Sequence, residues 1–142
     1  FPDTRLVALH SHLNEGERLH NWLAAQSGLA GIVLGTRLAV FAPLPKLGLI
    51  IVDEEQDASF KQQDGLRYSA RDVAIFRARQ SEVPIVLGSA TPALETYANA
   101  LCGRYRLLQL SQRAVPQAQL PLVQSVDTRK HKLEDGLAPP VL

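Results

Sequence analysis

The 142-residue sequence has no methionine, a single cysteine and no apolar run long enough to cross a bilayer. The lone cysteine, Cys102, excludes an internal disulfide framework and any multi-cysteine zinc site, and a reducing intracellular compartment fits that usage. No basic stretch followed by an apolar core marks a secretory leader. The chain opens Phe-Pro-Asp and lacks methionine altogether, so an excerpt of a longer protein is expected. Neither sign of charge is in excess. The net charge is +1, which does not by itself announce a nucleic-acid partner. Only locally does charge become lopsided. No acid occurs between Ala98 and Val126, where Arg104, Arg106 and Arg113 lie, and that span reads either as a basic strip or as solvated arginines.

What is present is an ordinary globular composition, 46% apolar and 20% charged, at the size of one domain. Residues 4–11 read as a short strand. Residues 14–26 read as a helix capped by Asn14, with Glu15 and Glu17 in its first turn and Leu19, Trp22 and Leu23 on one face. Residues 30–36, 47–53 and 83–91 read as buried apolar strands. Residues 69–80 predict a helix capped by Ser69, with Val73, Phe76 and Arg77 along one side. Residues 92–103 predict another, capped by Thr91, with Pro92 at its first position and Gly103 at its end. Residues 105–110 read as one more strand. Apolar strands alternating with helices predict an α/β fold with a parallel sheet covered on both sides. Beyond residue 112 the sequence turns rich in Pro and Gln. Residues 113–142 read as an extended closing segment or linker, with at most one strand over 120–127.

In such sheets, ligands bind at the carboxyl ends of the strands. Three abrupt changes fall there: Gly35-Thr36-Arg37, Asp53-Glu54-Glu55, and Gly88-Ser89-Ala90-Thr91. An apolar strand ending in Asp-Glu is the pattern that places one carboxylate on a water-bound Mg²⁺ and a second beside the attacking water. By itself the pattern is weak, and solvated charge is the plainer reading. Ser89-Ala90-Thr91 adds hydroxyls where the backbone is free to approach closely. Residues 60–68, FKQQDGLRY, form a polar loop with an aromatic at each end. Phe60 and Tyr68 offer stacking surfaces, and Lys61 and Arg67 offer phosphate contacts. A solvated loop anchored by two aromatics is the plainer reading of the same residues.

Taken together, VDEEQ (52–56) resembles motif II and GSATP (88–92) resembles motif III of the superfamily 2 helicases. The stretches around them, including LHSHLNEGERLHNWLAA, resemble the replication-restart helicases of that superfamily over essentially the whole chain. The resemblance implies a partial RecA-like parallel sheet flanked by helices, part of helicase lobe 1 without its first strand and phosphate loop. Residues 1–112 would carry motifs Ib, II and III, and 113–142 would lead towards lobe 2. Asp53 would hold Mg²⁺ through water, and Glu54 would be the catalytic acid. Gln56, Ser89, Ala90 and Thr91 would border the nucleotide and couple its state to lobe movement. Gly35, Thr36 and Arg37 match motif Ib, which touches single-stranded DNA. The 60–68 loop resembles one that couples DNA binding to ATP hydrolysis.

The cofactors implied are ATP and Mg²⁺, with zinc only outside this stretch. The partners implied are single-stranded and forked DNA, primosome proteins and single-strand DNA-binding protein, with no membrane. The location implied is the cytoplasm, associated with the nucleoid. The activity implied is ATP-dependent 3′-to-5′ DNA unwinding in replication restart. Many members carry His where this chain has Gln56. An amide there hydrogen-bonds but does not titrate, which puts any role resting on protonation in question.

No G-x-x-x-x-G-K-[ST] occurs in the chain, so the phosphate-cradling loop and its lysine are expected upstream, and this stretch alone is expected to be inactive. Two rival readings stand beside the motor: a non-hydrolysing DNA-binding or loading module, and a different DNA translocase of the same superfamily. His10, His12, His20 and His131 lack convincing metal spacing. Arg129-Lys130-His131-Lys132 reads as a solvated turn before a DNA contact. Asp57 and Asp64 read as turn-forming residues. Glu55 either belongs to the motif or faces solvent.

Overall fold

The structure is a computed structural model and describes residues 1–112, 126, 127 and 129. It divides into two compact units, 1–106 and 107–142. The first unit is α/β. Its elements in order are β1 (Leu6–Leu9), α1 (Glu15–Gln26), β2 (Ile32–Gly35), β3 (Ile50–Val52), β4 (Lys61–Gln62), β5 (Tyr68–Ser69), α2 (Ala70–Gln80), β6 (Ile85–Leu87) and α3 (Leu94–Leu101), with 3-10 turns at Arg37–Phe41 and Ala58–Phe60. Of the second unit, the described part contains an exposed ion pair between Arg129 and Asp127 at 3.0 Å. Residues 120–125 of the strand expected over 120–127 and most of the expected linker lie outside the described residues, and residues 126 and 127 are not in a strand.

Strands β1 and β2 pair in parallel, Leu6 opposite Ile32 through Leu9 opposite Gly35. Strands β3 and β6 also pair in parallel, Ile50 opposite Ile85 through Val52 opposite Leu87. These are two separate two-stranded sheets, and β4 and β5 form an antiparallel hairpin. Parallel pairing follows from the helix-bearing crossovers between the partners. The loop expected over 60–68 is thus largely this hairpin. Residues 105–110, expected as a strand, are irregular.

Helix α1 begins as its sequence predicts. Asn14 accepts from the Glu17 N–H at 2.9 Å, and the Glu17 carboxylate accepts from the Asn14 N–H at 3.0 Å. Such a cap is worth about 1 kcal/mol. The buried face differs from expectation. Leu19 and Leu23 are exposed and Trp22 is half-buried, whereas Ala24 and Ala25 are buried. Ala24 packs with Val7 and Ala30 in a small core that Val33 borders. In α2 the enclosed stripe is Ala70, Ala74 and Ala78, while Phe76 is exposed. Alanines at a spacing of four bring the helix backbone close to β3 and β6. Large apolar side chains were the sequence signal for the inner faces, and small ones occupy them.

The strands expected to be buried on both faces have one face open. Leu34 in β2, Ile51 in β3 and Val86 in β6 are all exposed. Among the described residues, α1 packs on β1 and α2 packs on β3 and β6, which covers one side only.

The start of α3 also departs from the prediction. Its N-cap is Ala93, not Thr91, so Pro92 precedes the helix instead of opening it. Ala93 has no capping side chain of its own, and the missing acceptor comes from a distant residue. Gly103, with φ of 77°, follows the last turn as expected.

Candidate functional site

Strands β3 and β6 end side by side, and the ladder continues past them. The Gly88 N–H donates to Val52 O at 2.8 Å, and the Glu55 N–H donates to Gly88 O at 3.0 Å. This brings Asp53-Glu54-Glu55-Gln56 against Gly88-Ser89. A β-carbon at Gly88 would stand 3.3 Å from the Asp53 Oδ1, so the absence of a side chain there keeps room around that carboxylate.

Each residue of the acidic turn faces a different way. Asp53 is exposed, and its Oδ1 accepts from the Glu54 N–H at 3.0 Å. Its other oxygen accepts no hydrogen bond among the described residues. Glu54 is exposed and sits at φ of 49°, a left-handed conformation that is uncommon for a non-glycine residue. Its Oε2 accepts from the Gln56 Nε2 at 2.8 Å. The Gln56 Oε1 accepts from the Ser89 hydroxyl at 2.5 Å, and the Ser89 Oγ accepts from the Thr91 N–H at 2.9 Å. A continuous hydrogen-bonded path therefore runs from Glu54 through Gln56 to Ser89 and Thr91. The primary amide suits the middle position because it donates at one end and accepts at the other. Ala90 lies exposed between the two hydroxyl residues.

Glu55 does not face solvent. Only 2% exposed, it is the one charged residue buried among those described. Its Oε1 accepts from the Ala93 N–H at 2.7 Å, and its Oε2 accepts from the Thr96 hydroxyl at 2.9 Å and from Arg71 at 3.1 Å. It thereby caps α3 from 38 residues away. Burial draws the Arg71 guanidinium pKa down, but hydrogen bonds and charge from Asp72 and Glu55 outweigh it, and the net shift is upward.

The other predicted positions gather at the ends of β2 and around the hairpin. Gly35 closes β2 where a β-carbon would collide with the Leu9 carbonyl oxygen and lie 2.6 Å from the Ala39 side chain. Thr36 is exposed, its N–H donating to Leu9 O at 3.1 Å. Arg37 is half-buried, and its guanidinium donates to the carbonyls of Ser59 at 3.1 Å and Lys61 at 3.2 Å. Phe60 is half-buried, while Lys61 and Arg67 are exposed. Tyr68 is half-buried, its ring in an edge-to-face pair with Phe41 at 5.2 Å, and its hydroxyl is buried with no hydrogen-bond partner among the described residues. From α2, Arg77 donates to the carbonyls of Val40 and Ala42, and burial lowers its pKa. Asp57 accepts from the Ser59 N–H at 2.7 Å, which caps the turn before the hairpin and holds its carboxyl below the ordinary value. The Arg37–Phe41 turn thus sits between the hairpin and α2 and is bonded to both.

Comparison with known proteins places these residues in context. The chain is 44% identical over 140 residues to the replication restart protein PriA of Haemophilus influenzae, covering 99% of this chain. It is 44% identical over 133 residues to the protein of that name from Bacillus subtilis, covering 94% of this chain. It is 50% identical over 107 residues to that of Chlamydia trachomatis, covering 75% of this chain. The chain is a segment of a PriA-family protein. It spans 19%, 16% and 14% of the length of these three PriA proteins. No family model matches it. In this PriA-family segment the acidic turn, the Ser89 turn and the hairpin all lie within the first compact unit.

Sequence reasoning missed Glu55, Arg71 and Ala93 as a connected set. The only local signal was a third acid directly after the pair assigned to chemistry. Nothing local marks Arg71 or the uncapped start of α3 as its partners. Among the described residues no group of three or more His, Cys, Asp and Glu side chains converges on one point. His10 and His12 stand 5.9 Å apart, ring to ring. No helix of the described residues is long and apolar enough to cross a membrane.

Proposed function

We propose that this segment is part of the first motor lobe of an ATP-dependent DNA helicase, carrying its hydrolytic acids and the hairpin that contacts DNA. The observation that carries the reading is the hydrogen-bonded path from Glu54 through Gln56 to Ser89 at neighbouring strand ends. Two loops far apart in sequence are joined by side chains that either phosphate chemistry or its consequences would displace.

The residues fit Mg²⁺·ATP as far as this chain reaches. Asp53 presents an exposed oxygen ligand at a carboxyl strand edge, beside a glycine that leaves space. Mg²⁺ favours few carboxylates and several waters, so a dedicated cage of acids is not required. When bound, Mg²⁺ supplies neutralisation of phosphate charge. Asp53 would hold it through water. Glu54 would orient the attacking water and take its proton, with its carboxylate steadied by the Gln56 amide. Ser89 and Thr91 would report nucleotide state through that same amide. The phosphate-cradling lysine is not among these residues, so the segment by itself is expected not to hydrolyse ATP.

The nucleic-acid surface would comprise the backbone at Gly35 and Thr36, Phe60 for stacking, and the exposed cations Lys61 and Arg67. Arg37 and Tyr68 would act mainly by holding the hairpin, since the guanidinium of one and the ring of the other are already engaged. The relatives' name, replication restart protein, supports a role in restarting replication, for which forked DNA is the substrate we propose. We extend the reading to 3′-to-5′ movement on single-stranded DNA, with primosome proteins and single-strand DNA-binding protein as partners in the cytoplasm.

The test is Glu54→Gln in a full-length protein carrying this segment. DNA-stimulated ATP hydrolysis is expected to fall by at least about 100-fold with ATP binding retained. Hydrolysis at the unsubstituted rate overturns the assignment.

A further inference from the structure

Glu55 and Arg71 have no part in the chemistry proposed above, yet they lie between its two ends. Strand β5 runs into α2 without a linker, because Ser69 is both the last residue of β5 and the cap of α2. Ala70, the first helical residue, is buried, and Arg71 follows it. Any displacement of the hairpin therefore reaches Arg71 through a rigid helix start and not through a flexible loop. Arg71 meets Glu55 at 3.1 Å, and the Glu55 peptide is bonded directly to Glu54.

Two further observations bear on that contact. Enclosing a carboxylate is costly unless every oxygen is well paired, and Glu55 is held by α2, by the start of α3 and, through its N–H, by Gly88. Glu54, its neighbour, is held at φ of 49°. Such a conformation persists only where the surroundings over-determine it. The Glu54 N–H donates to Asp53 Oδ1, its carbonyl accepts from the Asp57 N–H at 2.8 Å, and the bonds of Glu55 fix the peptide that follows. The bonds of Glu55 to Gly88, Ala93 and Thr96 do not involve Arg71, so replacing Arg71 cuts the link to the hairpin while Glu54 stays in place.

We propose that the Glu55–Arg71 ion pair is the positioning link through which the 61–69 hairpin controls the placement of Glu54. The proposal rests on the motor reading above and names its regulation. With the hairpin seated, Arg71 holds Glu55 and Glu54 keeps its left-handed conformation. When nucleic acid shifts the hairpin, the first turn of α2 moves, and Glu55 passes that movement to Glu54 and to the start of α3 together. The path through Gln56 and Ser89 meets this one only at Glu54, since it uses no side chain of Glu55 or Arg71.

The test uses a full-length protein carrying this segment, with Arg71→Gln as the main variant and Arg71→Lys as a milder one. Four quantities are read: ATP hydrolysis without DNA, its stimulation by single-stranded DNA, the affinity for that DNA, and the melting temperature. Arg71→Gln is expected to keep DNA-free hydrolysis within about twofold while stimulation falls about fivefold or more, with DNA affinity unchanged. Arg71→Lys keeps the charge and is expected to restore part of the stimulation. If DNA-free and DNA-stimulated rates fall together, in step with the melting temperature, the pair is only a structural pin and the proposal is overturned. Unchanged stimulation also overturns it. Should Arg71→Gln fail to fold, Arg71→Lys is judged by the same criteria. An unsubstituted protein without ATPase activity overturns the motor reading and this link with it, whereas normal ATPase activity with stimulation intact in the variants overturns the link alone.

Discussion

The Ser89 hydroxyl donates to the Gln56 amide oxygen at 2.5 Å, while the amide nitrogen of Gln56 donates to Glu54. One neutral side chain thus joins the acidic end of β3 to the turn after β6. A histidine in this place would bridge the same groups through its two ring nitrogens, in a way that depends on its protonation. The amide bridges without titrating.

Removing that bridge cuts the side-chain link between the two loops and frees the Glu54 carboxylate of its amide partner, while the backbone ladder through Gly88 stays. In a full-length protein carrying the segment, Gln56→Ala is expected to lower DNA-stimulated ATP turnover about tenfold, at little cost in melting temperature, because Gln56 is only half-buried. Ser89→Ala removes the same bond from the other side, so the double variant is expected to lose little more than either single one. Additive losses in that double-mutant cycle would show that the two residues act independently.

Arg37 gives a prediction that separates phosphate contact from loop support. Its guanidinium already donates to Ser59 O and Lys61 O. Arg37→Ala is therefore expected to leave the salt slope of single-strand binding unchanged while loosening the hairpin, seen as faster amide exchange over 59–69. Lys61→Ala or Arg67→Ala, at exposed cations, is expected to reduce that slope by about 0.7 each. Titrating affinity against salt for the three variants decides it.

Gly35 is fixed by close approach, since its φ is not left-handed. A β-carbon there meets the Leu9 carbonyl and the Ala39 side chain, and backbone cannot swing aside as a flexible side chain would. Gly35→Ala is expected to destabilise the protein by about 1–3 kcal/mol, read from the denaturation midpoint. Gly48→Ala, where nothing lies within 4 Å, is the control and is expected to be near neutral.

Much of this was legible locally. The capping box of α1, the Ser69 cap of α2 and the glycine after α3 are satisfied within a few residues, so short-range chemistry suffices to read them. The three strand ends carrying Gly35, Asp53 and Ser89 were legible for a similar reason: an apolar run that stops abruptly in small or acidic residues marks its own edge. The helix faces that large side chains mark in the sequence are not the enclosed ones, because side-chain size points inward only where there is space. Close helix–strand packing selects Ala24, Ala25, Ala70, Ala74 and Ala78 instead. The start of α3 was misread because its acceptor comes from Glu55 and not from Thr91.

The sequence by itself determined the kinds of group at each strand end and the order in which they come. A carboxylate pair, an amide and two hydroxyls are chemical facts that need no coordinates. Only the tertiary structure decided which acid turns inward. Asp53, Glu54 and Glu55 are equivalent as charges along a chain, and they differ because parallel pairing of β3 with β6 sets Glu55 beneath α2 and α3. There, Arg71, Ala93 and Thr96 supply the hydrogen bonds that make an enclosed carboxylate tolerable.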